Sequence, residues 1–274
     1  MIKFARPKVN SKVLLKIKKI INQGVFVHGK LTNEFEKKLS AFFKLKNDSL
    51  LSTSSCTASL HLYYLSIGLS KNDEVIMSAQ THVATAHAVE ACAAKPVFVD
   101  CELTTGNIDI KKIEKKITKK TKCICVTHFL GRPTDMYKIN KIAKKNNLKI
   151  VEDTALSIGS KIGKKFAGTF GDAGAFSFHP VKIITTGEGG AIILKNKKDF
   201  SLVRSMKSFG YDIASPNKRK IPGNYNVNFF GLNYRMSEME AAIGIHELKE
   251  IQKKIKIRKN NYNYFLKKIK DLKN

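Results

Sequence analysis

The stretch that decides the fold lies between residues 152 and 190. It reads E-D-T-A-L-S-I-G (152–159), G-T-F-G-D-A-G-A-F-S-F-H-P-V-K (168–182) and T-T-G-E-G-G (185–190). Asp153 closely follows the apolar run 148–151, and Lys182 stands between the apolar run 173–178 and three glycines. We expect Lys182 to be desolvated and aimed by fixed backbone, which is the condition under which a lysine amine forms Schiff bases.

Working outward, short apolar runs alternate with stretches of helical spacing along the chain. The runs are 74–77, 96–99, 123–126, 148–151, 173–178 and 191–194, and the helical stretches include 13–21, 31–43, 57–67, 83–93 and 136–146. This alternation predicts an α/β fold with a mainly parallel sheet covered on both faces. Ligands gather at the carboxyl ends of such strands, and His128, Asp153 and Lys182 follow three of them. The segment 211–228, with two prolines and a glycine, is predicted to be the most mobile.

The composition indicates a cytoplasmic globular protein. The chain has 274 residues, of which 43% are hydrophobic, and it contains no run of 18 apolar residues that would span a membrane. The first residues, M-I-K-F-A-R-P, lack the apolar segment of a signal peptide. The five cysteines are odd in number and stand mostly in apolar segments, so we interpret them as reduced core thiols.

Two features suggest other functions and are interpreted more simply. Cys123 and Cys125 could suggest a metal, but alternation on a strand points both to one face of an apolar run, which favours core packing. The net charge of +28 suggests nucleic-acid binding. However, the basic residues are spread along the whole chain without interleaved aromatic residues, so we expect no specific nucleic acid.

Seven motifs together resemble the DegT/DnrJ/EryC1/StrS family of sugar aminotransferases, which depend on pyridoxal phosphate (PLP) and have fold type I. They are S-S-C-T-A-S-L-H (54–61), A-Q-T-H-V-A-T (79–85), H-F-L-G-R-P-T-D (128–135), E-D-T-A (152–155), F-S-F-H-P-V-K (176–182), T-G-E-G-G (186–190) and G-L-N-Y-R-M-S-E (231–238). The resemblance extends almost from Phe4 to Leu248. It implies a PLP-binding large domain, residues 1–244, with a sheet of the seven-stranded type. Residues 245–274 would then be the helical start of an incomplete C-terminal small domain.

The resemblance also assigns the two catalytic residues. Lys182 matches the lysine that carries PLP and moves the proton during transamination. Asp153 matches the carboxylate that pairs with the pyridine nitrogen and keeps it protonated, so that the ring withdraws electrons. The alternative for Asp153 is a helix cap after a strand, and Glu152 is expected to support the loop.

Further residues match cofactor-binding positions of the family. Thr57 and Ala58 open a helix, where free N–H groups favour the phosphate, although a helix cap without a ligand is the alternative for Thr57. Ser177 would add a hydroxyl group to the phosphate site. Asn233 and Arg235 resemble a segment that reaches the phosphate of the partner in a homodimer with shared active sites; Arg235 could instead form an interface ion pair.

Some positions depart from the family or are less specific. His82 occupies the place of the aromatic residue that stacks on the PLP ring, but it could be a structural histidine. His179 is a candidate for the sugar pocket. Cys56 replaces the usual glycine before the threonine, and Leu156 replaces a polar residue near the 3′-oxygen of PLP.

The expected function is therefore transamination of a nucleotide-linked keto-sugar, with L-glutamate as the amino donor, in the biosynthesis of amino sugars for polysaccharides. In dehydratase relatives the lysine is replaced by histidine, so Lys182 favours transamination. The alternatives are a PLP-family sugar dehydratase variant and a catalytically dead or regulatory PLP-binding homologue.

Overall fold

The computed structural model describes residues 7, 9–46, 48–212 and 226–270. These residues form a seven-stranded sheet between two layers of helices. The strands are β1 (Leu50–Thr53), β2 (Glu74–Ser78), β3 (Lys95–Val99), β4 (Thr121–Thr127), β5 (Lys149–Asp153), β8 (Ala173–Ser177) and β9 (Gly190–Leu194), and β6 (Lys161–Ile162) and β7 (Lys165–Phe166) form a separate hairpin. The helices are α1 (Val13–Gln23), α2 (Lys30–Phe43), α3 (Cys56–Ser66), α4 (Val83–Glu90), α5 (Ile110–Ile113), α6 (Met136–Lys145), α7 (Lys197–Met206) and α8 (Glu238–Ile269).

The sheet has the order β1-β9-β8-β5-β4-β2-β3. Strand β9 pairs antiparallel with both β1 and β8, and the other neighbours are parallel. The mainly parallel α/β sheet predicted from the sequence is therefore confirmed. Its carboxyl edge collects the ends of β4, β5 and β8.

Alternation along the buried strands builds one core on each face of the sheet. Ala173 and Ala175 pack with α3, α4 and α7, whereas Phe176 packs on the other face with α2 and α8. Cys123 and Cys125 both lie in the first core, fully buried. Their predicted packing role is confirmed.

Helix α8 is 32 residues long and begins with a capping box formed by Ser237 and Glu240. Its Glu238 is 2% exposed and accepts hydrogen bonds from the amides of Leu31 and Thr32, which satisfies the start of α2. The helix continues through residue 244 without interruption. A domain boundary at 244/245 would fall inside this helix, and the division into two domains stays a prediction.

The remaining expectations concern membranes and mobility. Within the ranges given above, no helix combines the length and apolar character needed to cross a bilayer. Most of the segment predicted to be mobile, residues 213–225, lies outside the described residues.

Candidate active site

The site is built at the carboxyl edge of the sheet, where three neighbouring strands end. Thr127 of β4 pairs with Asp153 of β5, and Ser177 of β8 pairs with Gly190 of β9. Because β4, β5 and β8 run parallel, their carboxyl ends meet at one edge. The register thus places the predicted Asp153 and Ser177 on adjacent strands.

The carboxylate of Asp153 is held from several sides. It is 5% exposed, and its Oδ2 accepts a 2.7 Å hydrogen bond from the hydroxyl of Thr85. Its Oδ1 accepts from the amide of Ala155 at 3.1 Å and lies 4.0 Å from the sulfur of Cys56. This carboxylate is fixed in direction before any ligand arrives.

The preceding carboxylate, Glu152, is fully buried and has another task. It accepts hydrogen bonds from the amides of Gly168, Phe170 and Gly171 at 2.7–2.8 Å, and it lies 2.9 Å from Nε2 of His128. The expectation that Glu152 supports the loop is confirmed by these contacts. His128, which follows β4, is engaged by Glu152.

Lys182 lies in a turn between β8 and β9 that is held by backbone and side-chain bonds. The amide of Lys182 donates to the carbonyl of His179 at 2.9 Å, and that of Thr186 donates to the carbonyl of Phe178 at 2.9 Å. From α8, the buried Glu247 accepts from the amide of Thr185. The backbone is therefore fixed as predicted. The side chain of Lys182 is half-buried and lines an open cleft, so the expected desolvation is only partial.

That cleft has a volume of about 600 Å³. Leu156 lines it and is 39% exposed, so this part of the cleft wall is apolar. Across the cleft, α8 contributes Arg258 and Lys259. The walls near Lys182 thus combine apolar surface with positive charge.

Cys56 lies beside Asp153, with its sulfur 4.0 Å from Oδ1 of the carboxylate. Burial raises the pKa of its thiol well above the usual value, the charge of Asp153 raises it further, and the charge of Lys182 partly opposes this. The thiol is therefore neutral at physiological pH. Asp153 ends β5 and Lys182 follows the neighbouring parallel strand β8, so the fold brings both residues to the same edge of the sheet.

The predicted phosphate corner lies at the start of α3. The helix begins at Cys56, and the amide of Ala58 already donates to the side chain of Ser55 at 3.0 Å. In the first helical turn, this leaves the amides of Cys56 and Thr57 for an anion. A Cβ on Gly190 would come within 2.3 Å of Ser55 backbone, so β9 approaches this corner closely.

The two histidines lie at the margin of the site. His82 is exposed and caps α4, where its Nδ1 accepts from the amide of Ala84 at 3.2 Å. His179 is 3.9 Å from Glu188, and both side chains are largely exposed. Cap formation shows a structural role for His82, and its stacking role stays a prediction.

Asn233 and Arg235 lie elsewhere in the chain. Arg235 donates to Asn233 at 3.0 Å, lies 2.8 Å from His28, and its guanidinium lies 5.1 Å from the centre of the Phe209 ring. Arg235 lines a separate cleft of about 840 Å³. These two residues are not brought to the Lys182 cleft within one chain.

Comparison with known proteins agrees with this geometry. Residues 7–274 match the model of the DegT/DnrJ/EryC1/StrS aminotransferase family. The chain belongs to this family. GDP-perosamine synthase of Escherichia coli O157:H7 is 36% identical over 81% of this chain and 58% of its own length.

Two solved structures are also similar to this DegT/DnrJ/EryC1/StrS member. The GDP-4-keto-6-deoxymannose-3-dehydratase ColD, solved with bound GDP-perosamine, has a TM-score of 0.89 and 28% identity over 98% of this chain and 73% of its own. NtdA from Bacillus subtilis, solved with bound cofactor PMP, has a TM-score of 0.77 and 33% identity over 88% of this chain and 53% of its own. The chain spans about three fifths of the length of the perosamine synthase that it matches.

Sequence reasoning missed the groups that hold the predicted catalytic residues in place. Thr85 stands inside a quoted motif but received no role, and Glu247 lies in a lysine-rich helix. The only sequence signal for Thr85 is a hydroxyl residue in the first turn of a helix that follows a strand. Glu247 gives no such signal because its contact with Thr185 spans 62 residues.

Proposed function

We propose that this chain carries the cofactor-binding part of a PLP-dependent aminotransferase, with PLP attached to Lys182. The amine acceptor is a nucleotide-linked keto-sugar, and the donor is L-glutamate. The observation that carries the proposal is that the buried carboxylate of Asp153 ends β5, while Lys182 lies in a fixed turn after the neighbouring parallel strand β8. The five free cysteines, most of them buried, support a cytoplasmic location.

The residues present fit PLP at three points. Asp153 offers a buried carboxylate to a ring nitrogen, and the start of α3 offers the amides of Cys56 and Thr57 to a phosphate. Lys182 offers an amine from a fixed turn. The close approach of Gly190 to Ser55 leaves no room for a side chain at position 190.

When bound, PLP supplies the electron sink that allows a proton to leave the substrate carbon. Asp153 holds a proton at the ring nitrogen, and the thiol of Cys56 stays neutral beside it. Lys182 Nζ takes the proton from one carbon and returns it to another. Thr57 and Ser177 would hold the phosphate, Thr57 with its amide at the start of α3 and Ser177 with its hydroxyl group.

The cleft beside Lys182 supports an anionic sugar substrate. Arg258 and Lys259 of α8 lie on its wall, and the apolar Leu156 lies near the reacting lysine. A nucleotide-linked sugar carries its negative charge on the diphosphate, away from the ketone. The positive wall suits the diphosphate, and the volume of about 600 Å³ is within the range of ligand pockets.

A dehydratase is the second candidate, because ColD has the same fold with 28% identity. Lys182 argues against it, since the dehydratase relatives carry histidine in place of the lysine. A PLP-binding homologue without turnover is separated from both candidates by the reaction with glutamate.

The decisive experiment is chemical labelling of the purified chain. After incubation with PLP, borohydride reduction and peptide mapping should locate the cofactor on Lys182, and Lys182→Ala should stay unlabelled. Glutamate should then convert bound PLP to its amine form in a single turnover. A label on another lysine, or none, would refute the assignment.

The role of Asp153 is tested by Asp153→Asn in the same assay. The variant keeps the shape but loses the charge that holds the ring proton, so the glutamate reaction should slow by about 100-fold or more while PLP stays bound. A near wild-type rate would leave Asp153 with a structural role only.

A further inference from the structure

Three threonine hydroxyls form a chain that ends on Asp153. The Oγ1 of Thr127 lies 2.9 Å from that of Thr81, which lies 2.9 Å from that of Thr85, and Thr85 donates to Asp153 Oδ2 at 2.7 Å. Thr85 is 1% exposed and Thr127 is 8% exposed. The chain joins the ends of β4 and β5 to the first turn of α4.

The direction of every hydrogen in this chain follows from the ionised carboxylate. A carboxylate only accepts hydrogen bonds, so Thr85 must donate its single hydroxyl proton to Asp153. Thr85 can then only accept from Thr81, and Thr81 can only accept from Thr127. All three hydroxyl dipoles therefore point toward Asp153, and hydrogen bonds aligned in this way strengthen one another.

The contacts also decide which way the carboxylate faces. Thr85 holds Oδ2 and the amide of Ala155 holds Oδ1, so the group cannot rotate without losing both bonds. Each oxygen can accept a second hydrogen bond. The thiol of Cys56, a weak donor, lies 4.0 Å from Oδ1. A carboxylate fixed in this way keeps a constant aim at a ring nitrogen.

We propose that Thr85, supported by Thr81 and Thr127, is a positioning residue that holds Asp153 ionised and aimed at the pyridine nitrogen of PLP. The inference rests on the proposed function. The proposal gives the motif A-Q-T-H-V-A-T (79–85) a second role, in addition to the one predicted for His82. Thr85 itself touches Asp153 and acts on the cofactor only through it.

The test compares Thr85→Val, which removes the hydroxyl at nearly constant shape, with Thr85→Ser, which keeps it. Each holoenzyme is reconstituted with PLP that carries 15N at the pyridine nitrogen. In Thr85→Val, the 15N signal should move toward the unprotonated position, and the single-turnover rate with glutamate should fall about tenfold, as expected for loss of a charge-assisted hydrogen bond. Thr85→Ser should restore both, and Thr127→Val should show a smaller change in the same direction.

The matched control is Thr121→Val. Thr121 is buried at the opposite end of β4, and its hydroxyl also accepts a hydrogen bond, from the amide of Thr118. It should lose stability without any change in the 15N signal. A merely structural role for Thr85 would make Thr85→Val behave like this control.

The outcomes separate this inference from the proposed function. If the wild-type chain does not attach PLP to Lys182, the proposed function fails and this inference fails with it. If the wild type is normal but Thr85→Val keeps its rate and 15N signal, only the inference is wrong. Should Thr85→Val not fold, Thr127→Val decides, and a wild-type signal and rate in that variant would overturn the proposal.

Discussion

Asp153 and Glu152 are adjacent carboxylates, and their different surroundings suit them to different roles. Asp153 accepts one strong hydrogen bond on each oxygen, whereas Glu152 has two donors at each oxygen and no exposure. Phe170 and Gly171 donate to its Oε1, and Gly168 and His128 meet its Oε2. A carboxylate saturated by donors holds structure, and one with free lone pairs can serve a ligand.

This difference predicts a large stability cost for Glu152→Gln. The substitution replaces one of the two carboxylate oxygens with an NH2 group, which donates and does not accept. Each oxygen of Glu152 accepts from two donors, so either orientation of the amide loses two hydrogen bonds at a fully buried position. We expect the free energy of unfolding to fall by about 2–4 kcal/mol, measured by urea denaturation.

The control for this change is Glu114→Gln. Glu114 forms an ion pair with Lys145, and the side chains are 49% exposed for Glu114 and 72% exposed for Lys145. Its cost should stay below about 1 kcal/mol. Equal costs for the two variants would show that the buried donors around Glu152 contribute little.

At the scale of elements, the strands and helices that could be predicted from the sequence are those with a strong hydrophobic pattern. The run around Phe176 and the alternation of Cys123 and Cys125 were read correctly because burial on both faces leaves an uninterrupted apolar signal. Strand β1 and helix α7 were missed. Strand β1 has four residues, and α7 is mostly polar, so neither carries a pattern long enough to detect.

The residues of the candidate site also differ in how well the sequence predicts them. Asp153 and Lys182 could be predicted because they follow strong strands and carry family motifs. Their supports could not, since Thr85 reaches Asp153 across 68 residues and Glu247 reaches Thr185 across 62. Contacts at such separation depend on the packing of α4 and α8, which no local pattern encodes.

The approach of β9 to α3 predicts the effect of Gly190→Ala. The new Cβ would lie 2.3 Å from the backbone carbon of Ser55, so the start of α3 must shift. We expect a loss of about 2–3 kcal/mol in stability and weaker PLP binding, measured by urea denaturation and by cofactor titration.

The matched variant is Gly163→Ala in the β6–β7 hairpin, where φ is +60° and a Cβ meets nothing within 4 Å. It should cost about 1 kcal/mol through backbone strain and leave the affinity for PLP unchanged. If Gly190→Ala also keeps the wild-type affinity, the start of α3 does not bind the phosphate.

At the scale of the whole molecule, the placement of Asn233 and Arg235 predicts a homodimer with shared sites. Within one chain neither residue lines the cleft of Lys182, and the family resemblance implies that this segment reaches the phosphate of the partner. Lys182→Ala chains mixed with Asn233→Ala/Arg235→Ala chains should form heterodimers with one intact site. Random mixing then gives about a quarter of wild-type sites, measured as PLP bound per chain.

The two variants measured separately set the baseline for that experiment. Binding equal to their average would mean that each chain builds its own phosphate site. Sedimentation of the wild type at the same concentration gives the oligomeric state independently.

The pairing of β1 with β9 has a consequence for how the molecule is made. Thr53 lies just before the start of α3, but its only strand partner, Gly190, follows 137 residues later. Such distant pairing is slow to form because a long loop must close first. On the ribosome, the chain cannot complete this edge of the sheet until residue 194 has emerged, so the corner for the phosphate stays incomplete until more than two thirds of these 274 residues have been made.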